Sequence, residues 1–277
     1  MRESNILDIP EDEESPLSFA NAMQGRTIMG LVQEAVTSNH ALLAFQPIVR
    51  SGPTHNIAFY EGLIRIQDPN GRIIPAKEFI TQVEETETGR LIDCMALELG
   101  LKSLIQVPSL RLAINMSARS IGYGKWIDIL GRALRRDPSL GQRLILEITE
   151  SSAMMVPELV INFMRDLHKR GISFALDDFG SGSTSFRYLR DFDFDILKID
   201  GQFIRSIETS VDDQVLVQAL ISIGQHFGMD TVAEAVETPT ANQWLTKVGI
   251  DCQQGYYFAA PTVVPPWIKP AQKRRRA

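Results

Sequence analysis

Eight short runs of β-forming apolar residues, most of them separated by stretches of helical periodicity, constrain this chain more than any other feature. The strand candidates are Leu42–Val49, Ile57–Ile66, Arg111–Asn115, Leu144–Ile148, Ser173–Asp177, Ile196–Ile199, Asp230–Glu234 and Cys252–Tyr256. Helical patterns lie around Ser18–Ser38, Ala76–Glu85, Thr88–Ile105, Ile121–Arg136, Pro157–Lys169, Asp212–Phe227 and Pro239–Lys247. Ser51–Asn56 is too short for a helical crossover, so the first two strands are expected to pair antiparallel and the rest parallel. In a chain of 277 residues this order predicts an α/β fold, a modified TIM (β/α)8 barrel with one antiparallel strand pairing at its start. An open doubly wound sheet is the alternative.

Helix punctuation agrees. Pro157 suits a first helical turn, His168, Lys169 and Arg170 suit the negative end of a helix dipole, and Gly171 suits the position after it. With 44% hydrophobic and 22% charged residues, the chain has the composition of a globular protein. Its net charge of -6 argues against a DNA partner. Residues 1–17 read as a flexible acidic leader, 18–268 as the barrel domain and 269–277 as a basic C-terminal tail. No signal peptide or membrane span is expected, and Cys94 and Cys252, outside any metal-ligand spacing, are expected as reduced thiols in a cytoplasmic protein.

The run Ile172–Leu176 ends on Asp177 and Asp178, followed by Phe179-Gly180-Ser181-Gly182. Side chains alternate along a strand, but at the exit into a glycine-containing turn both carboxylates can reach one mouth. Two carboxylates about 4 Å apart repel by roughly 4 kcal/mol at an effective dielectric of about 20, so the pair calls for a proton, a base or a cation. Other strands end alike: Glu61, Asn115, Glu147, Lys198, Glu234 and Gln254 close or follow their apolar runs. In a parallel barrel these ends open on one face. Taken singly, each has a plain alternative: a capping Glu, a turn-forming Asn115, or Lys198 paired with Asp195 or Asp200 at the surface. Taken as a set, buried carboxylates call for divalent metal or extensive protonation, and oxygen ligands without histidine favour Mg²⁺, Mn²⁺ or Ca²⁺. None of His40, His55, His168 and His226 lies at these ends, so none is expected to bind metal.

These segments resemble the EAL-domain family of bacterial cyclic di-GMP phosphodiesterases, over about residues 45–261. The resemblance rests on Phe45-Gln46-Pro47-Ile48, Glu61-Gly62-Leu63-Ile64-Arg65, Asn115-Met116-Ser117, Glu147-Ile148-Thr149-Glu150, Asp177-Asp178-Phe179-Gly180, Leu197-Lys198-Ile199-Asp200, Val232-Ala233-Glu234 with Val236-Glu237-Thr238, and Gln254-Gly255-Tyr256. It implies a barrel mouth that binds cyclic di-GMP over two Mg²⁺ or Mn²⁺ ions and yields linear pGpG. Glu61, Asn115, Glu147 and Asp177 would then hold one ion, and Asp177 with Asp178 the other. Lys198 would hold the attacking water, Glu234 would be the general base, and Glu150 would anchor the loop after the Asp pair. Gln46, Leu63, Arg65, Glu237, Gln254 and Asp200 would surround the ligand, with Arg65 on the distal phosphate. A homodimer follows from the resemblance alone, and a regulatory protein partner is what a receptor without turnover would signal to.

The chain departs from the family pattern at Gly62, usually Ala, at Ala235, usually Gly, at Ser183, Thr184 and Phe186 in the loop after the Asp pair, and at Ala259-Ala260. None removes a ligand, the lysine or the base. The altered loop supports a second reading, a receptor that binds cyclic di-GMP without efficient turnover. A third reading, from the chemistry alone, is a Mg²⁺ barrel enzyme that stabilises an enediolate with Lys198 as base; it leaves Arg65 and the paired Asp idle.

Overall fold

The computed structural model describes residues 28–68, 70–180 and 189–268. The leader, the tail and the loop departures Ser183, Thr184 and Phe186 lie outside them. Among the described residues, nine strands form one sheet: β1 (Ala41–Arg50), β2 (Ile57–Gln67), β3 (Ile73–Pro75), β4 (Leu112–Asn115), β5 (Leu144–Thr149), β6 (Ser173–Phe179), β7 (Ile196–Ile199), β8 (Asp230–Ala233) and β9 (Cys252–Gln253). The order β1-β9-β8-β7-β6-β5-β4-β2-β3, with β1 also paired to β2, closes eight strands into a barrel and leaves β3 on the outside of β2.

The expected antiparallel pairing at the start joins β1 to β2, with Gln46 opposite Glu61. Because the barrel closes on a reversed strand, β1 also runs antiparallel to β9. From β2 through β4 to β9 every pairing is parallel. Helices cover the outside, the longest being Glu87–Gln106 and Val211–Phe227. Pro157 opens the Pro157–His168 helix as expected, and Gly171 takes φ 82° at the turn into β6. Among the described residues no helix is long and apolar enough to cross a membrane.

Some elements differ from the sequence reading. The expected strand Cys252–Tyr256 ends at Gln253: Gln254 N donates to Ala233 O and its carbonyl accepts from Val236 N, which turns the chain out of the sheet at Gly255. Strand β3 and the short helices Glu150–Met155 and Gly201–Ile204 have too few residues to show a period in the sequence.

The barrel interior is plugged by one residue from each closing strand: Ile48, Phe59, Ala113, Ile145, Ala175, Ile196, Val232 and Cys252. Small Ala113 and Ala175 offset bulky Phe59 and Ile145 in this layer. Cys252 and Cys94 are both free and buried.

Candidate active site

The plug explains the mouth. Side chains along a strand return to the same face every second residue, so two positions beyond each plug residue the next inward layer appears. Counting two toward the carboxyl ends, and two back along reversed β1, gives Gln46, Glu61, Asn115, Glu147, Asp177, Lys198, Glu234 and Gln254. The structure brings this whole polar ring together on an apolar floor.

Lys198 stands at its centre, 1% exposed. Its Nζ lies 2.8 Å from Asp177 Oδ1, 2.8 Å from Glu234 Oε1, 3.0 Å from Glu147 Oε2 and 3.6 Å from Glu61 Oε2. The surface pairing of Lys198 with Asp195 or Asp200 is thereby excluded. Asp195 instead accepts from Phe174 N at 2.7 Å and lies 3.1 Å from His168 Nε2, while Asp200 Oδ1 caps the next helix through Gln202 N at 2.6 Å.

A chain of amides braces the other side. Gln254 Nε2 donates to Glu61 Oε2 at 2.6 Å and to Gln46 Oε1 at 3.1 Å, Asn115 Nδ2 donates to Glu61 Oε1 at 2.8 Å, and Gln46 Nε2 donates to Ala259 O at 3.1 Å. Gln46 and Gln254 therefore act first as struts for Glu61.

Crowding acids round one ammonium shifts their titration. Burial pushes Glu147 well above the usual carboxylate range, with Glu61 and Asp177 adding to it against Lys198. Burial, opposed by Lys198 and reinforced by Asp177 and Glu61, lifts Glu234 to about 8. Burial also works upward on Glu61, but Lys198 and hydrogen bonds from Gln254 and Asn115 outweigh it, so Glu61 titrates low. For Lys198 burial works downward, and the surrounding carboxylates outweigh it to raise its pKa well above that of a free lysine.

Asp177 and Asp178 reach one mouth through a bulge. Between Leu176 and Phe179 strand β6 advances three residues while β7 advances two, from Leu197 to Ile199. Asp178 takes the left-handed φ of 54°, which Asp tolerates better than most residues. The strand thus runs past the expected end at Asp177 to Phe179. Burial and then the Asp177 charge raise Asp178 to about 6. Glu150, 2% exposed, stands outside the ring and accepts Gly180 N at 2.9 Å, tying the end of this bulge to β5.

The donor set fits divalent cations. Asp177, Asp178 and Glu234 each offer an oxygen within 4.8 Å of the others. Glu147 Oε1 is buried without a hydrogen-bond partner, and Asp177 Oδ1 meets Lys198 as an ion pair without hydrogen-bond geometry. Such oxygen-only donors suit a hard cation. That grouping also brings Glu234, read from sequence as the base, within reach of the Asp pair.

A cleft of about 510 Å³ opens above the ring and includes Leu63, Asp200 and Glu237 in its wall. Arg65 is half-buried, its Nη1 on Ile64 O at 2.9 Å. Tyr256, which closes the Gln254-Gly255-Tyr256 run, lines the cleft too, as do Lys77 and Arg205, which were not singled out from the sequence. Those two lie off the strands, so the strand-end pattern could not reveal them. Ala235 takes φ 51°, a left-handed conformation that costs an L-residue about 1–2 kcal/mol and that the usual glycine adopts freely.

Fold and mouth define a class: a (β/α)8-type barrel protein with a lysine-centred ring of carboxylates at the carboxyl ends of its strands. Within that class, the chain belongs to the EAL domain family, whose model matches residues 30–261. It is 30% identical over 263 residues to cyclic di-GMP phosphodiesterase PdeB of Shewanella oneidensis, covering 93% of this chain and 30% of that protein. It is 30% identical over 238 residues to cyclic di-GMP phosphodiesterase PdeF of Escherichia coli, covering 84% of this chain and 32% of that one. The chain therefore spans less than a third of each relative's length. Among solved structures, the PaMucR phosphodiesterase in complex with c-di-GMP aligns with a TM-score of 0.74 at 28% identity, over 85% of this chain and 97% of that one. The FimX EAL domain from Pseudomonas aeruginosa shares the fold, with a TM-score of 0.76 at 24% identity over 85% of this chain and 96% of that one.

Proposed function

We propose that this chain is a metal-dependent phosphodiesterase that hydrolyses cyclic di-GMP to linear pGpG. The observation that carries the reading is the buried Lys198 ammonium ringed by Asp177, Glu234, Glu147 and Glu61 beneath an open cleft. The phosphodiesterase names of the relatives and the c-di-GMP complex of PaMucR support the same substrate.

Glu61, Asn115, Glu147 and Asp177 would hold one Mg²⁺ or Mn²⁺, and Asp177 with Asp178 a second. When bound, such ions neutralise charge on the phosphoryl oxygens and acidify water. Lys198 offsets part of the ring's negative charge and orients the carboxylates around it. Water adds to phosphorus, one bridging P–O bond breaks, Glu234 takes the water proton, and the released alkoxide oxygen takes a proton from solvent to become a hydroxyl. Arg65 holds the other phosphate with paired N–H donors. Gln254 Oε1, buried and without a partner, is the free acceptor of the amide chain and suits an N–H of guanine. Glu237 and Asp200, which also line the cleft, face the ligand, Glu150 fixes the bulge, and Leu63 supplies apolar contact. Exposed Met155, Val156 and Leu159, beside Glu150 in the chain, support a homodimer face.

The test is direct. Purified protein with cyclic di-GMP and Mg²⁺ or Mn²⁺ is expected to yield pGpG, and Glu234→Gln to cut turnover about 100- to 10,000-fold while keeping ligand affinity. Tight binding with no product in either metal would support the receptor reading instead.

A further inference from the structure

Arg205 follows the short Gly201–Ile204 helix that leaves the barrel directly after β7. Positions 201 and 205 are four apart, so they share a face, and a helical side chain leans back toward the helix start. Here that start is the mouth. With glycine at 201 nothing blocks the path: Arg205 Nη2 lies 3.2 Å from the point a Cβ on Gly201 would occupy. The same Cβ would stand 2.7 Å from Ala235 Cβ, so Gly201 and Ala235 form a low shelf along the cleft wall, with Gly255 also lining the cleft.

Among the described residues the Arg205 guanidinium makes no hydrogen bond or ion pair, and the residue is exposed at the cleft. A guanidinium only donates, so its partner must be an acceptor. Under the function proposed above, the acid ring with its ions takes the scissile phosphate and Arg65 takes the other. The acceptors that remain on the dinucleotide are chiefly the O6 and N7 atoms of its guanines. A low shelf with an arginine at its edge suits a planar base held along that edge, as paired donation to O6 and N7 requires.

We infer that Arg205 reads a guanine of the substrate, as a specificity-determining residue in the wall of the same cleft that Gln46 and Gln254 line. Adenine carries an amino donor where guanine carries O6, so Arg205 discriminates between the two bases. This inference rests on the phosphodiesterase reading for its ligand.

The experiment measures equilibrium binding with Mg²⁺ present in a Glu234→Gln background, where turnover is cut and the ions stay in place, for cyclic di-GMP directly and cyclic di-AMP by competition. Arg205→Ala is expected to weaken cyclic di-GMP about 10- to 100-fold and to leave cyclic di-AMP nearly unchanged, so base discrimination falls by the same factor. Arg205→Lys, which keeps the charge and loses the fork, is expected to recover less than half of that discrimination on a logarithmic scale. Equal losses on both ligands would mark a phosphate contact and overturn the inference, as would unchanged binding. Failure of the protein with Arg205 intact to bind cyclic di-GMP in Mg²⁺ would overturn the underlying reading and the inference together. Arg205 is exposed and bonds to nothing described, so its loss leaves the fold intact and these outcomes readable.

Discussion

Asp93 is a buried carboxylate outside the ring, 8% exposed in the Glu87–Gln106 helix. Its Oδ2 accepts from Ser117 N at 3.0 Å and Ser120 Oγ at 2.6 Å, and no cation faces it among the described residues. Burial outweighs these hydrogen bonds and lifts its pKa to about 7 from the ordinary 3.8. The native state then holds a proton that the unfolded chain gives up at lower pH, so stability falls as pH rises from about 4 to about 7. The full effect is on the order of 4 kcal/mol. Asp93→Asn keeps an acceptor and cannot ionise. Urea unfolding is expected to find it close to the parent protein below pH 4 and more stable near pH 8; an equal difference at both would refute the assignment. Nothing in the sequence marked Asp93, because both of its partners lie in the turn after β4, on a different element. Asp177 was legible for the opposite reason: the apolar run before it fixes where it sits.

At the scale of elements, the seam between β2, β4 and the Glu87–Gln106 helix is set by two glycines and one side chain. A Cβ on Gly62 would stand 2.8 Å from Ile114 Cδ1, and one on Gly100 2.7 Å from the same atom. Ile114 therefore fills the space that the more usual Ala at position 62 would claim. Gly62→Ala is expected to cost about 1–3 kcal/mol through overpacking. In an Ile114→Val background, which lacks Cδ1, most of that cost should vanish, a coupling that a double-mutant cycle of thermal unfolding measures. Equal costs in both backgrounds would show that Ile114 is not the obstacle. From sequence only the Gly-for-Ala exchange itself is visible, since packing partners across a seam leave no local pattern. Strand ends behaved likewise: the bulge that carries β6 to Phe179 is a matter of register against β7, and the early end of β9 comes from backbone bonds to Ala233 and Val236.

For the whole molecule, closure creates the site. Positions spread over some two hundred residues meet because each strand contributes one plug residue and, two positions nearer the mouth, one polar residue; strand ends made seven of the eight legible before the structure, and Gln46 came with the resemblance alone. Lys77 and Arg205 escaped because they sit on connections, whose placement depends on how the barrel is capped. The ring also stores charge repulsion that Lys198, with the amides of Gln254 and Asn115 on Glu61, offsets in part, so ions that bind the folded mouth should stabilise the entire barrel by linkage. At a concentration about 100 times Kd, such an ion adds about 2.7 kcal/mol. For a domain of this size that corresponds to a rise in Tm of about 5–10 °C. Mn²⁺ titration followed by calorimetry is expected to give a shift of this order in the parent protein. Asp177→Asn, which alters the ligand proposed to serve both ions, should lose most of the shift, while Asp212→Asn on the exposed Val211–Phe227 helix should keep it. If all three proteins shift equally, the ions act elsewhere and the ring is held by Lys198 and protons alone.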